Sequence, residues 1–267
     1  RQRFAPDAIA CLVENFADPR IGAVSGALHF LSSSESAVGT GMRLYGSYEN
    51  RLRHSESRIH SMLGAAGAIY ALRRDLFMPI PDDVLADDLV IPLQVVAQGY
   101  RVVLDGRARA WDGVAKHPST EWRRKLRTLT GNFQSFALMR RLFHPLRSPV
   151  ASQLFSHKLL RVLVPYFLIA AFLSCLVLVD QPLYRGLFAA QFAVYALGAA
   201  GCLAPQRLAR LGRARLLVQL PAVFVLANTA ALAAGFAYAF GNHSGSWRSA
   251  PTDAITPLDG HTANEPR

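Results

Sequence analysis

Two regimes of apolar patterning divide this chain. Up to about Ser148 the apolar positions recur with the short periods of packed helices and strands; beyond it they merge into three long uncharged runs. Over residues 6–16, Ile9, Leu12, Val13 and Phe16 fall on one helical face, with Pro6 in the first turn and Asp7 at the positive end. Residues 21–30 read as a strand punctuated by Gly22 and Gly26. A second helix over 36–61 carries Tyr45, Tyr48, Glu49, Arg51, Arg53, Glu56 and Arg58. A solvated amphipathic face explains these residues, and they would also suit the wall of a cleft. Small residues from Leu63 lead into a short strand that ends at Arg73-Arg74, and Gly64 and Gly67 permit close approach of either a ligand or a neighbouring element. Pro81-Asp82-Asp83 predicts a turn. Asp87-Asp88 precedes a helix that runs to Gln98 and stops at Gly99. Residues 100–104 alternate as a strand, with Asp105-Gly106 turning it. Alternating helix and strand predicts an α/β layer structure.

Residues 121–143 predict a basic helix in which Leu126, Leu129, Phe133 and Phe136 recur at near-helical spacing. Such a helix suits the membrane interface or packing on a domain surface. Pro145, Ser148 and Pro149 then break the chain. The uncharged runs at about 160–180, 185–205 and 216–240 are each long enough, at ~20 residues, to cross a hydrocarbon core as a helix. They lack the polar face that three helices of a soluble bundle would show.

Charge adds an orientation. The net charge is +11, and residues 123–161 hold nine Lys and Arg but no Asp or Glu. A basic block leading directly into an apolar run points to an anionic cytoplasmic leaflet rather than to nucleic acid. The arginine loop of Arg207, Arg210, Arg213 and Arg215 should share that side, with the loop of Asp180 to Arg185 outside. The polar tail over 242–267 reads as disordered. Cys11, Cys175 and Cys202 form neither a CxxC nor a Cys/His pattern, so no zinc site or disulfide framework is indicated. The first residues do not form a signal peptide, because no apolar stretch follows them.

The candidate chemistry lies between Leu85 and Arg127. Asp87-Asp88 offers paired carboxylates, which suit a helix start and equally a general base. Arg124, Lys125 and Arg127 offer cations for a departing diphosphate, or for a membrane surface.

The order of these residues is recognisable. Gly64-Ala-Ala-Gly67-Ala-Ile-Tyr70-Ala-Leu-Arg73-Arg74 is followed by Asp87-Asp88 with its helix, then Gly99-Tyr100-Arg101-Val102-Val103. Arg124-Lys125-Leu126-Arg127 with Gly131, and Ser156-His157-Lys158-Leu159-Leu160-Arg161, complete the series. To about residue 240 the chain resembles the family-2 membrane glycosyltransferases related to cellulose, chitin and hyaluronan synthases. The resemblance implies that residues 1–130 are the C-terminal half of a type A glycosyltransferase domain. Residues 131–157 would then be an interfacial amphipathic helix and linker, and 158–241 transmembrane helices. It implies Asp88 as the acceptor base with Asp87 beside it, and Arg127, Arg124, Lys125 and Gly67 at the donor diphosphate and acceptor. Arg124 stands where the family has Gln and Thr128 where it has Trp, which puts acceptor stacking and strict processivity in question.

The family's Asp-x-Asp, which binds the metal and nucleotide, is expected upstream of Arg1, making this chain a truncated piece. Asp82-Asp83 reads better as a turn than as a substitute. The resemblance further implies Mg²⁺ or Mn²⁺ in the intact enzyme, a UDP-linked sugar donor, a glycan or lipid acceptor, and a bacterial inner membrane with the catalytic part cytoplasmic. The resulting expectation is inverting hexosyl transfer, with this piece inactive by itself. The rival reading is a non-catalytic membrane anchor or partner subunit. A transporter is disfavoured, since the runs carry no ionisable residue to mark a path and Asn228 is their main polar residue.

Overall fold

The computed structural model describes residues 2–31, 37–113, 118–203 and 215–241. Four strands, β1 (Arg3–Phe4), β2 (Ile21–Leu31), β3 (Tyr70–Leu72) and β4 (Arg101–Gly113), form one mixed sheet in the order β1-β4-β2-β3. The central pair β2–β4 is parallel, and β1 and β3 close the two edges antiparallel. Parallel strands need a long crossover, which here contains α2 (Ala37–Ile59) and α3 (Asp87–Ala97). The sheet is buried on both faces because its side chains alternate between two cores. Ala23 and Val102 face Met62, Leu63, Leu93, Val95, Leu142, Val150 and Leu154 on one side. Val24 and Val103 face Ala8, Cys11, Leu12 and Ile69 on the other, beneath α1 (Ala8–Glu14).

Asp105-Gly106 does not turn the chain, as its composition suggested. β4 continues to Gly113, and the pairing with β2 jumps from Gly26↔Asp105 to Ala27↔Arg109. The bulge is held by the Asp105 carboxylate, which accepts hydrogen bonds from the Arg107 backbone N–H at 2.9 Å and from Asn15 Nδ2 at 2.8 Å, and pairs with Arg107 Nη2 at 2.8 Å. Gly26 lies directly over the Ala108 carbonyl oxygen, where a Cβ would collide with it.

α4 (Pro118–Leu138) crosses the boundary expected between residues 130 and 131 without a break. Its C-terminal half is packed on protein: Thr130, Gln134 and Ser135 are buried, and Phe133 stacks on Tyr238 with ring centroids 5.7 Å apart. A single α-helical turn (Ala151–Gln153) and a π-helical turn (Leu154–Leu159) lead into α5 (Leu160–Val177). α6 (Pro182–Leu203) and α7 (Arg215–Ala239) follow.

The segments Ala151–Val177, Pro182–Leu203 and Leu217–Ala239 are long and apolar enough to cross a membrane. Gly198 and Gly201 bring α6 against α7, since a Cβ at Gly198 would lie 2.7 Å from the Pro221 carbonyl oxygen and one at Gly201 2.7 Å from Ala222 Cβ. Small residues serve this purpose where helices must approach closely. Outward-facing Phe167, Leu183 and Phe192 remain exposed. Arg207, Arg210 and Arg213 of the arginine loop and the polar tail lie outside the described residues, and Arg215 opens α7.

Candidate active site around Asp88

Asp87 and Asp88 are the first two residues of α3. The N-cap position is Ala86, and no side chain caps the helix. The carboxylates therefore stand at the positive end of the helix without serving as its cap. Three chain segments hold this end of α3. From one side, Ala65 N–H donates to the Asp88 carbonyl oxygen at 2.8 Å, and Gly64 fits where a Cβ would come within 3.2 Å of that same oxygen. From the other side, α4 grips the lead-in residues: Leu85 N–H donates to Gln134 Oε1 at 3.0 Å, and Gln134 Nε2 donates to the Asp83 carbonyl at 3.2 Å. Gly131 closes this contact, since its Cβ would fall 2.7 Å from Ala86 Cβ and 2.9 Å from Ala86 N. The third segment, α2, supplies charge rather than a backbone contact.

Gly64 and Gly67 face different parts of Asp88. Gly64 is a packing glycine, whereas Gly67 is exposed and faces the Asp88 side chain, with its Cβ position 3.4 Å from Oδ2. The carboxylate is thus flanked by bare backbone. Tyr70 follows on β3. Burial and then the neighbouring Asp87 and Asp88 push its phenol above its usual range.

Burial pushes the Asp88 carboxyl above its ordinary range, and Asp87 adds to this. Lys158, Arg53 and Arg127 pull in the opposite direction without overcoming it. Arg127 is exposed on α4 and its charge is felt at Asp88. Arg124 is exposed on the same helix and Lys125 is half-buried. Arg53, Lys158 and Tyr70 stood in the sequence patterns above, but none was assigned to the Asp88 site. A signal for Arg53 existed: Glu49, Arg53 and Glu56 recur at four- and three-residue spacing, which places them on one helix face.

That face of α2 meets the turn before α5. Glu49 pairs with Arg161 Nη1 at 3.3 Å, Arg53 Nε at 3.7 Å and Lys158 Nζ at 3.8 Å. Burial would raise the Glu49 carboxyl, but the charges of Lys158, Arg53 and Arg161 outweigh burial and lower it. Beside it, the buried Glu56 accepts from or pairs with His157 Nδ1 at 2.7 Å.

A buried carboxyl raised above its ordinary range, between bare backbone and a set of cations, suits a reaction in which a hydroxyl is deprotonated and a negatively charged group departs. A model of glycosyl transferase family group 2 matches residues 2–184. The chain belongs to this family. Among solved structures, the chain is similar to the mannosyltransferase PcManGT from Pyrobaculum calidifontis, a structure containing GDP-Man and Mn²⁺. The TM-score is 0.56 at 23% identity, covering 89% of this chain and 59% of that one. At this identity the likeness establishes the fold. The chain spans 59% of the length of that neighbour. No curated protein matches significantly. The family match extends past α5 and ends just inside α6, so the π-helical turn and α5 lie within the family-matched part of the chain.

Proposed function

We propose that this glycosyltransferase transfers a hexosyl group, with inversion, from a nucleotide-sugar donor to a hydroxyl of a glycan or lipid-linked acceptor at a membrane. The observation carrying this reading is the Asp88 carboxyl: held at the start of α3, raised by burial, and faced by the exposed Gly67. A raised carboxyl is a stronger base when ionised, and the most effective base has a pKa near the working pH. Asp88 takes the proton of the acceptor hydroxyl as its oxygen attacks the anomeric carbon from the face opposite the leaving group. Asp87 keeps the proton affinity of Asp88 high. The bond from the anomeric carbon to the diphosphate oxygen breaks, and Arg127, with Arg124 and Lys125 on the same helix, stabilises the charge that develops there.

The donor is UDP-linked on the family likeness; the GDP-Man held by the Pyrobaculum neighbour makes GDP-mannose its competitor. That neighbour also holds Mn²⁺, and Mg²⁺ or Mn²⁺ suits diphosphate departure. Among the described residues no three His, Cys, Asp or Glu side chains converge as metal ligands. The residues described do not make such a site, and the steps above run through side chains alone.

The three apolar helices are proposed to cross the inner membrane of a bacterium, with the α/β domain and the basic segment ahead of α5 on the cytoplasmic side. The test is nucleoside-diphosphate release and sugar incorporation by the protein in native membranes, offered UDP-glucose, UDP-N-acetylglucosamine and GDP-mannose with Mn²⁺. Asp88→Asn should reduce transfer by about 10²–10⁴-fold while donor binding persists. Transfer within about tenfold of the parent would refute the base assignment.

A further inference from the structure

The Glu56–His157 contact serves no purpose in the chemistry just described, yet it engages a buried carboxylate. Glu56 is 3% exposed. A carboxylate so placed requires partners for both oxygens. Oε1 meets His157 Nδ1 at 2.7 Å, and Oε2 accepts the Leu63 N–H at 3.3 Å. Leu63 opens the loop whose Ala65 N–H holds the Asp88 carbonyl at 2.8 Å. The ends of the loop are pinned to the sheet, through Met62 N–H to the Val102 carbonyl at 2.9 Å and Ala66 N–H to Ser25 Oγ at 2.9 Å. Between these pins, the Leu63 amide is held by a side chain, and that side chain is gripped by the turn ahead of α5.

The turn has an unusual shape. Residues Leu154–Leu159 are π-helical, a wide turn that occurs in short pieces and often at functional sites. It presents His157 to Glu56 and Lys158 to Glu49, and Arg161, one turn further along, also reaches Glu49. α2 and the start of α5 are thereby linked by three side-chain contacts around two carboxylates.

We propose that His157 is a positioning residue: through Glu56 and the Leu63 amide it ties the setting of the first long apolar helix to the loop that holds Asp88. The role in catalysis rests on the reading of Asp88 as acceptor base; the mechanical link does not. Removing the imidazole leaves a buried carboxylate with one amide partner, and the carboxylate then moves to find another. That movement releases Leu63 and loosens Ala65 beneath Asp88.

The experiment is amide hydrogen exchange, resolved at residues 61–67, on the protein in lipid vesicles, with nucleoside-diphosphate release measured on the same samples. His157→Ala should speed exchange at Leu63 and Ala65 by about tenfold, the equivalent of one hydrogen bond to a charged group. Val24 and Val103 in the sheet should exchange as in the parent. Turnover should fall by about tenfold or more with donor KM unchanged, because a displacement of ~1 Å at a reacting group can cost ~10²-fold. His157→Gln keeps an N–H donor and should restore both properties. Where His157→Ala does not accumulate, Glu56→Ala removes the acceptor of the Leu63 N–H itself, with faster exchange at Leu63 and Ala65 expected.

Parent-like exchange at Leu63 and Ala65 overturns the link, as does acceleration shared equally by the sheet. Faster loop exchange with turnover within twofold of the parent overturns the positioning role. Failure of the base reading shows separately, as an active Asp88→Asn protein whose loop still loosens in His157→Ala.

Discussion

Replacing Gly131 with alanine tests whether α4 sets the position of Asp88. Alanine in mid-helix is intrinsically favoured over glycine by ~1 kcal/mol, so on an exposed face the change would stabilise. At Gly131 the new Cβ falls 2.7 Å from Ala86 Cβ and 2.9 Å from Ala86 N, where ordinary contact begins at 3.4 Å. Both obstructing atoms belong to a short, rigid segment, so no flexible side-chain end can swing aside. Either α4 or the segment over 85–86 must retreat by about 0.7 Å to recover ordinary contact. Overpacking of this size costs ~1–3 kcal/mol, and the propensity gain offsets part of it. A net loss of ~1–2 kcal/mol is expected.

The effect on turnover should exceed the effect on stability, because Ala86 directly precedes the two carboxylates. A shift of ~0.7 Å at a positioned base corresponds to roughly 10- to 100-fold in kcat. The assays are thermal unfolding in detergent and nucleoside-diphosphate release in membranes. Thr128→Ala, at an exposed position of the same helix, serves as control and should be neutral in both. A Gly131→Ala protein with parent-like stability and turnover within twofold of the parent would show that the 85–88 segment is not held by α4.

Asp88→Asn should make the protein more stable at neutral pH even as it loses transfer. Because the folded-state pKa of Asp88 lies above its unfolded value, the folded state holds this proton more tightly, and stability falls as pH rises through the interval between the two values. Asparagine removes that loss, which denaturant melts at pH 4 and pH 7 would register. The acidic limb of kcat/KM should lie above the ordinary aspartate range, and Arg53→Gln, by removing a cation that lowers Asp88, should move it to still higher pH. Glu49→Gln leaves Lys158 and Arg161 facing one another without their shared anion; a loss of about 3 kcal/mol is expected in thermal unfolding, and an unchanged melting temperature would refute the pairing. Gly26→Ala forces a Cβ onto the Ala108 carbonyl and should destabilise by ~1–3 kcal/mol, read from the denaturant midpoint.

Local pattern carried the elements well. α1, β2 and α2 lie close to where periodicity placed them, and the three apolar runs are three long helices. These features depend on neighbours within a few residues. The misreading at Asp105-Gly106 has a specific cause: an Asp-Gly pair is a strong turn signal, yet here the carboxylate is saturated by Arg107 and Asn15, and the two residues open a bulge in a strand that continues. The Asp87-Asp88 pair was legible as a chemical feature. Its setting was not, because Gly131 and Gln134 approach from a helix more than 40 residues away in sequence, and His157 arrives later still. Lys158 and Arg161 read as juxtamembrane charge, and composition could not reveal that Glu49 binds both.

The sheet order bears on how the chain is made. The central strand β2 finds its parallel partner only at β4, about 80 residues later, and its partner on the other edge, β3, is three residues long. At ~5–20 residues per second, β2 emerges ~4–16 s before β4 is available to pair with it. During that interval Val24 and Ala27 lie on a strand with an open hydrogen-bonding edge, the kind of surface that recruits another chain. The ten-residue pairing with β4 therefore marks a vulnerable stage of synthesis, at which chaperone contact or slowed elongation across residues 70–100 would affect the yield of folded protein most.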